Sequence, residues 1–231
     1  MSDILLVRAA GALGDLTDEV VFVGAATVAF WIGQYGDLIP RITMDADTVI
    51  DVSTKSAYDR FGDRLRERGF EVDSGSRVIV RWIHRPTGLV LDVMPKSEEV
   101  FGFGGGWQAE ALSHAVTIEL SDGSRVRAGS PPYIVAMKLQ AYRSRGRGDL
   151  LASHDFEDLI NLIAAVSDLA DLVQEAGPVI SKFIGSELRE ILAEPRLDYA
   201  VTGTLSKFND YERLAADVID VKLPALAALE Y

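Results

Sequence analysis

The sequence predicts an α+β protein whose C-terminal half is helical. Short apolar runs rich in valine and isoleucine alternate with helical patterns up to about residue 130. From Pro131 onward every periodic segment is helical, and the proline itself is suited to the first turn of a helix. The 231 residues therefore divide into an α+β core at residues 1–130 and a helical domain at residues 131–231.

The elements of the first 70 residues follow from local patterns. The first fifteen residues predict a short helix, and the four apolar residues VVFV predict a strand. An alanine-rich helix follows and ends near Gly33 or Gly36, and Pro40 then breaks the chain. Residues 41–52 predict the next strand, and residues 53–70 predict a helix that Ser53 or Thr54 caps.

The remaining elements of the core are strands, and those of the C-terminal domain are helices. Residues 76–85 and 89–94 predict two strands, and residues 116–128 predict a hairpin that turns at Asp122-Gly123. The helices start at Pro131 and at the cap Ser153, and two more cover roughly 178–193 and 205–220.

Composition restricts the chemistry and the partners. The chain has no cysteine, which excludes disulfides, thiolate metal sites and cysteine nucleophiles and agrees with a cytoplasmic location. No apolar run is long enough to span a membrane. The net charge of −12 disfavours nucleic acid, yet residues 1–148 carry 17 basic against 19 acidic residues, whereas residues 149–231 carry 6 against 16. The first two-thirds can therefore receive a phosphate-bearing substrate.

Three carboxylates in the segment RITMDADTVIDV need a physical reason, because aspartate is depleted from strands. Successive side chains of a strand point to opposite faces, so those of Asp45 and Asp47 project from the same face, about 7 Å apart along the strand. This spacing suits two ligands of Mg²⁺. A solvated strand edge explains this pair equally well. Asp92 lies alone in the apolar strand LVLDVM and is the preferred third ligand, because its rival Asp51 lies at the end of its strand.

Gly24 follows the strand VVFV and opens a helix. A glycine at such a turn lets a phosphate approach the backbone, and the helix N-terminus offers free N–H donors. An ordinary strand-to-helix turn accounts for this glycine as well.

One set of residues occurs in order along the chain: Gly24, the motif R-x-T-x-D-x-D with Arg41, Thr43, Asp45 and Asp47, the lone Asp92, the helix residues Lys138 and Arg143, and Asp155 with Asp158. This ordered set resembles the polymerase-β-like nucleotidyltransferase superfamily, and more narrowly the AbiEii/AbiGii-type toxin nucleotidyltransferases. The resemblance covers about residues 20–165 and implies a mixed β-sheet flanked by helices. Ala25 departs from the pattern, because the family usually has glycine or serine there.

The resemblance implies a role for each residue. Asp45, Asp47 and Asp92 would hold Mg²⁺ in a two-metal site, Lys138 would neutralise the triphosphate, and Asp155 would orient Lys138 or act near the acceptor. Asp158 either takes part directly or pairs at the surface with Arg143 or Lys138. The nucleotide-binding residues would be Gly24, Ala25, Arg41, Thr43, Lys138, Arg143 and Asp158.

The implied reaction moves a nucleoside monophosphate from an NTP to an acceptor and releases pyrophosphate. The expected protein is the toxin of a toxin–antitoxin or phage-defence system that acts on an RNA such as tRNA and has a cognate antitoxin. Two alternatives remain open: a small-molecule nucleotidyltransferase of the antibiotic-modifying type, and a nucleotide-binding protein without catalysis that works through a partner.

Overall fold

A computed structural model describes residues 3–35, 38–102, 106–145 and 149–229, and the side chain of Arg145 is outside this description. The chain forms two compact units, one made of Met1–Phe30 with Ile42–Ser130 and the other of Trp31–Arg41 with Pro131–Tyr231. Within the described ranges, no helix combines the length and the apolar character that a membrane crossing requires.

The first unit contains a seven-stranded mixed sheet in the order β3-β4-β5-β2-β1-β7-β6. Strand β2 runs parallel to β5 and β1 runs parallel to β7, whereas the other neighbouring pairs are antiparallel. The fold is therefore α+β, as the sequence predicts. The strands are β1 (Val20–Val23), β2 (Asp45–Ile50), β3 (Phe70–Val72), β4 (Arg81–His84), β5 (Leu89–Pro95), β6 (Val116–Glu119) and β7 (Arg125–Ala128).

Four helices and a 3-10 helix accompany the sheet. These are α1 (Ile4–Leu13), the 3-10 helix (Gly14–Glu19), α2 (Gly24–Tyr35), α3 (Lys55–Glu67) and α4 (Trp107–Ser113). Helix α2 begins in the first unit, and its residues from Trp31 belong to the second. The hydroxyl of Thr54 caps α3 by accepting the N–H of Ala57 at 3.2 Å, so Thr54 rather than Ser53 is the cap.

The second unit is helical. It contains α5 (Pro131–Arg145), α6 (His154–Ala165), α7 (Leu169–Glu175), α8 (Pro178–Leu192), α9 (Leu197–Leu205), α10 (Tyr211–Asp217), a π-helical turn (Val218–Lys222) and α11 (Leu223–Ala227). Ser153 caps α6 as predicted, since its hydroxyl accepts the N–H of Phe156 at 3.2 Å. Every residue of α6 from Asp158 to Ala165 is buried, which makes this helix the centre of the unit.

The predicted bounds differ most from the structure in three elements. Strand β2 begins at Asp45 rather than residue 41, because Asp45 is level with Val90, the second residue of the neighbouring strand β5. Strand β4 begins only at Arg81, because turns at Asp73 and Val78 precede it. The helix predicted at 205–220 is interrupted at 206–210.

Candidate active site

The three aspartates predicted as metal ligands lie on two neighbouring strands of the first unit. Asp45 and Asp47 belong to β2 and Asp92 belongs to β5, and Asp47 pairs in register with Asp92 in the parallel ladder. Side chains in register share a face, as do residues two apart in one strand, and neighbouring strands lie about 4.8 Å apart. The sheet therefore gathers these three side chains, which we call the carboxylate row, on one face.

Gly24 allows the carboxylate row to approach the start of α2. Asp47 pairs in register with Val23, the residue that precedes this glycine. A Cβ atom on Gly24 would lie 1.9 Å from Oδ2 of Asp47, and the backbone φ there is +70°. Only glycine fits both the conformation and the close approach. Ala25, the next residue, is buried and offers only its backbone to a ligand.

Thr43 and Asp51 flank the row on either side of β2. Thr43 was predicted to lie within a strand and to bind nucleotide, but it lies before β2. Its hydroxyl donates to Oδ1 of Asp45 at 2.8 Å and so positions that carboxylate. Asp51 follows the last residue of β2, is exposed and forms an ion pair with Nζ of Lys96 at 2.5 Å. The segment therefore contributes two carboxylates to the row, while Asp51 lies outside it.

Arg81 on β4 joins the site, although it was not among the residues predicted from the sequence. Its Nε and Nη2 donate to Oδ1 and Oδ2 of Asp92, both at 2.8 Å, and Nη2 also donates to Oδ2 of Asp45 at 2.6 Å. The hydrogen bond to Asp92 is the main cause that raises the pKa of Arg81 above its ordinary value, and the charges of Asp92, Asp45 and Asp47 add to it. The guanidinium therefore stays charged.

The role of Arg81 as the partner of Asp92 could be inferred from the sequence if the pairing of β4 with β5 were known. Arg81 is level with Asp92 in the antiparallel β4–β5 ladder, so both side chains project from the same face. A buried strand aspartate requires a cation or a hydrogen-bond donor, and the arginine of the preceding strand is the nearest one in the hairpin. This inference depends on the register, which the sequence does not state.

The donor chemistry of the carboxylate row fits Mg²⁺, which prefers carboxylate oxygens and retains several waters. The arrangement is nevertheless not a formed metal centre. Across the described part of the chain, no three side chains of histidine, cysteine, aspartate or glutamate are grouped so that they could hold a metal ion. Instead, Arg81 forms ion pairs with two of the three carboxylates, those of Asp45 and Asp92. We call this contact the guanidinium bridge.

The second unit contains a buried charge cluster. Nζ of Lys138 donates to Oδ1 of Asp155 at 3.1 Å and to Oδ2 of Asp158 at 2.6 Å. Arg41 donates from Nε and Nη2 to the two oxygens of Asp158 at 3.3 and 3.2 Å, although 117 residues separate them. Among the described residues, Lys138 and Arg41 bind Asp155 and Asp158, so the two buried members, Lys138 and Asp158, each have a partner of opposite charge.

Asp158 is therefore a buried residue rather than a surface carboxylate. Its side chain is 3% exposed, and that of Lys138 is 10% exposed. The expected contact between Asp155 and Lys138 is present. The nucleotide-binding and catalytic roles of Lys138, Asp155, Asp158 and Arg41 stay predictions, because these contacts alone explain the burial of the charges.

Arg143 has different partners from those that the sequence suggested. Its guanidinium donates to Oε1 of Glu187 and, at 2.7 Å, to Oε2 of Glu190, both on α8. Burial raises the pKa of Glu187, and the charge of Arg143 opposes this shift. The arginine thus satisfies a buried glutamate on a neighbouring helix, and its predicted contact with nucleotide stays a prediction.

A cavity of about 660 Å³ lies wholly within the second unit, between the start of α6 and α9. Tyr199, Gly203 and Lys207 line it together with His154 and Glu157. None of the predicted site residues lines this cavity. Its volume alone does not indicate chemistry, whereas at the carboxylate row Asp45 and Asp92 lie within hydrogen-bond distance of Arg81.

Neither a protein-family model nor a curated protein matches the chain. Among solved structures, the solution structure of the antibiotic-resistance factor ANT(2'')-Ia resembles it, with 13% sequence identity, a TM-score of 0.44, and coverage of 76% of this chain and 86% of that one. A likeness at this level does not assign a family. The function therefore has to be argued from the geometry of the site.

Proposed function

We propose that the protein is a Mg²⁺-dependent nucleotidyltransferase that moves a nucleoside monophosphate from an NTP to an acceptor. One observation carries the proposal. Asp47 is level with Asp92 on neighbouring parallel strands, two residues from Asp45, and touches the backbone of Gly24 at the start of α2. Carboxylates that face a glycine turn combine metal ligands with a place where phosphate can approach the backbone.

Each part of this site has a task in phosphoryl transfer, which depends on positioning and charge neutralisation. Asp45, Asp47 and Asp92 would hold the metal, which when bound neutralises the phosphates and activates the acceptor. Thr43 keeps the Asp45 carboxylate in place through its 2.8 Å hydrogen bond. The free backbone N–H groups at the N-terminus of α2, which begins at Gly24 and Ala25, would receive the phosphates next to the Asp47 carboxylate.

The acceptor is the finer part of the proposal. An RNA such as tRNA, modified by a toxin of the AbiEii type under control of an antitoxin, follows from the motif order in the sequence. A small-molecule hydroxyl agrees better with the net charge of −12, since binding to RNA depends on basic side chains at the phosphates. Incubation with each labelled NTP, Mg²⁺ and either total RNA or a panel of hydroxyl-bearing antibiotics separates the two acceptors.

A second function, nucleotide binding without transfer, is favoured by the guanidinium bridge, because Arg81 already occupies Asp45 and Asp92. Binding of NTP without release of pyrophosphate under any of these conditions would establish this second function and overturn the first.

Asp45→Asn tests the assignment of the site. We expect at least about a hundredfold loss of NTP turnover, because several kcal/mol of metal-dependent stabilisation is removed. The matched control is Asp51→Asn in the same segment, whose carboxylate pairs with Lys96 outside the row. Turnover that falls equally in both variants, or in neither, would contradict the assignment. Circular dichroism and thermal unfolding check that both variants are folded.

A further inference from the structure

The guanidinium bridge determines what a metal ion meets at this site. A single nitrogen, Nη2 of Arg81, donates to Oδ2 of Asp45 and to Oδ2 of Asp92. The other oxygen of each carboxylate is also hydrogen-bonded, Oδ1 of Asp92 to Nε of Arg81 and Oδ1 of Asp45 to Thr43, so a metal ion that joins the two groups meets occupied oxygens. The arginine and the ion therefore compete for one position.

The strands hold Arg81 at this position. It pairs with Asp92 in the β4–β5 ladder, and β5 in turn pairs with β2, so the three side chains lie across three adjacent strands. Both oxygens of Asp92 accept from the guanidinium, which is the strong two-point geometry of an arginine–carboxylate pair. The Arg81 side chain is 24% exposed and Asp92 is 10% exposed, so water screens the pair only in part.

Arg81 leaves this position by movement, since arginine keeps its proton at all physiological pH values. The carboxylates of Asp45 and Asp92 carry one negative charge more than the single guanidinium that binds them, and this excess attracts a further cation. The Arg81 side chain is 24% exposed, so it is partly in contact with solvent in the bridged state. Competition by a divalent ion is thus the available means of opening the bridge.

We propose that Arg81 is a resident counter-cation that closes the carboxylate row, and that a divalent metal ion binds Asp45 and Asp92 only after displacing it. This inference rests on the proposed function. The bridged state binds no metal at these two residues, so the apparent affinity for the ion falls by the fraction of molecules that are open. Arg81 thereby sets the metal concentration at which the site becomes competent.

The test measures binding of Mn²⁺, without nucleotide, by calorimetry and by electron paramagnetic resonance. We expect Arg81→Gln to bind Mn²⁺ at least about tenfold more tightly than the wild type, the factor for an open state populated at about one-tenth. The control is Arg85→Gln. Arg85 lies just after the same strand and forms an exposed pair with Glu71 at 2.7 Å, so its loss should leave the affinity unchanged.

Thermal unfolding gives a second readout. Without metal, Arg81→Gln should melt below the wild type, because Asp92 loses its cation, and added Mn²⁺ should raise its melting temperature more than that of the wild type. If Arg81→Gln does not fold, Arg81→Lys replaces it. Lysine retains the charge but loses the two-point contact, so tighter Mn²⁺ binding than in the wild type is again expected.

Equal affinities in the wild type and the Arg81 variants, or weaker binding in the variants, would overturn the inference and leave the proposed function standing. No Mn²⁺ binding by any of these proteins at millimolar concentration would overturn both the inference and the metal-dependent function. Tighter Mn²⁺ binding by Arg85→Gln as well would also overturn the inference, because loss of any nearby positive charge would then explain the result.

Discussion

Asp92 lies in β5 between Leu91 and Val93, which are fully buried. An isolated carboxylate in such a strand is costly, and the structure offsets the cost with two hydrogen bonds from Arg81. The sequence indicated that Asp92 required a partner and suggested a metal ion. The partner present is a side chain of the neighbouring strand, which explains how the strand is stable before any ligand binds.

Gly24→Ala is expected to destabilise the protein and to disturb Asp47. The new Cβ would lie 1.9 Å from Oδ2, 2.5 Å from Cγ and 2.7 Å from Cβ of Asp47, so the whole side chain has to move. The matched control is Gly88→Ala, at φ +67° against +70° for Gly24, where a Cβ meets no atom within 4 Å.

Both alanines carry the same backbone penalty, so their difference isolates the contact with Asp47. We expect urea unfolding to show that Gly24→Ala lowers the free energy of unfolding by at least about 1 kcal/mol more than Gly88→Ala does, which is the lower end of the usual range for overpacking. Equal losses of unfolding free energy in the two variants would show that the Asp47 side chain moves aside without destabilising the protein.

At the scale of elements, pairing partners decide where strands begin. Residues 41–44 have the composition of a strand, yet β2 starts at Asp45, level with the second residue of β5. Arg41 and Thr43 consequently lie outside the sheet, and each binds an aspartate, Asp158 and Asp45 respectively. Local composition cannot supply this boundary, because hydrogen-bonded neighbours define a ladder.

The segment around Ala227–Leu229 packs closely against helix α8 at Gly185. A Cβ on Gly185 would lie 2.3 Å from the carbonyl oxygen of Leu229, and Arg189 one turn later donates to the carbonyl of Ala227 at 2.6 Å. We expect Gly185→Ala to lower the free energy of unfolding by about 1–3 kcal/mol, because backbone atoms rather than a flexible side chain oppose the new methyl group.

Gly203→Ala in α9 is the control for Gly185→Ala. A Cβ there meets no atom within 4 Å, so the variant should gain about 0.5–1 kcal/mol from the better helix propensity of alanine. Urea unfolding measures both variants. A gain in stability at Gly185 similar to that at Gly203 would show that the C-terminal segment does not pack against α8.

At the scale of the whole molecule, alkaline pH should weaken the fold through Tyr58. Burial raises the pKa of Tyr58 to about 12 from 10.0, against a smaller lowering by the hydrogen bond from Trp82. Its hydroxyl donates to the carbonyl of Val93 at 3.0 Å, a bond that requires the protonated form. The folded state keeps this proton above pH 10, whereas the unfolded state releases it.

The contribution of Tyr58 is therefore complete below about pH 10 and is lost as the pH rises toward about 12, by roughly 2–3 kcal/mol. Urea unfolding of the wild type and of Tyr58→Phe across this range isolates the effect from other groups that titrate there. We expect the stability advantage of the wild type to shrink steadily over this interval. An advantage that does not change with pH would contradict the assignment.

The sequence by itself determined most elements and the chemistry of the candidate ligands. Strand β1, the hairpin turn at Asp122-Gly123, the caps and the mixture of strands and helices follow from local patterns, because propensity and capping depend on residues a few positions apart. The α+β class is confirmed by the sheet and its helices. The family, the acceptor and the metal site remain proposals.

Apart from the expected contact between Lys138 and Asp155, only the tertiary structure decided which charges meet. The pairing of Arg81 with Asp92 depends on the strand register, and that of Arg41 with Asp158 joins residues 117 positions apart. The same holds for the contact between Gly24 and Asp47, which requires β1 and β2 to lie side by side. Such contacts are fixed by the free energy of the whole packed unit, so no local pattern in the chain states them.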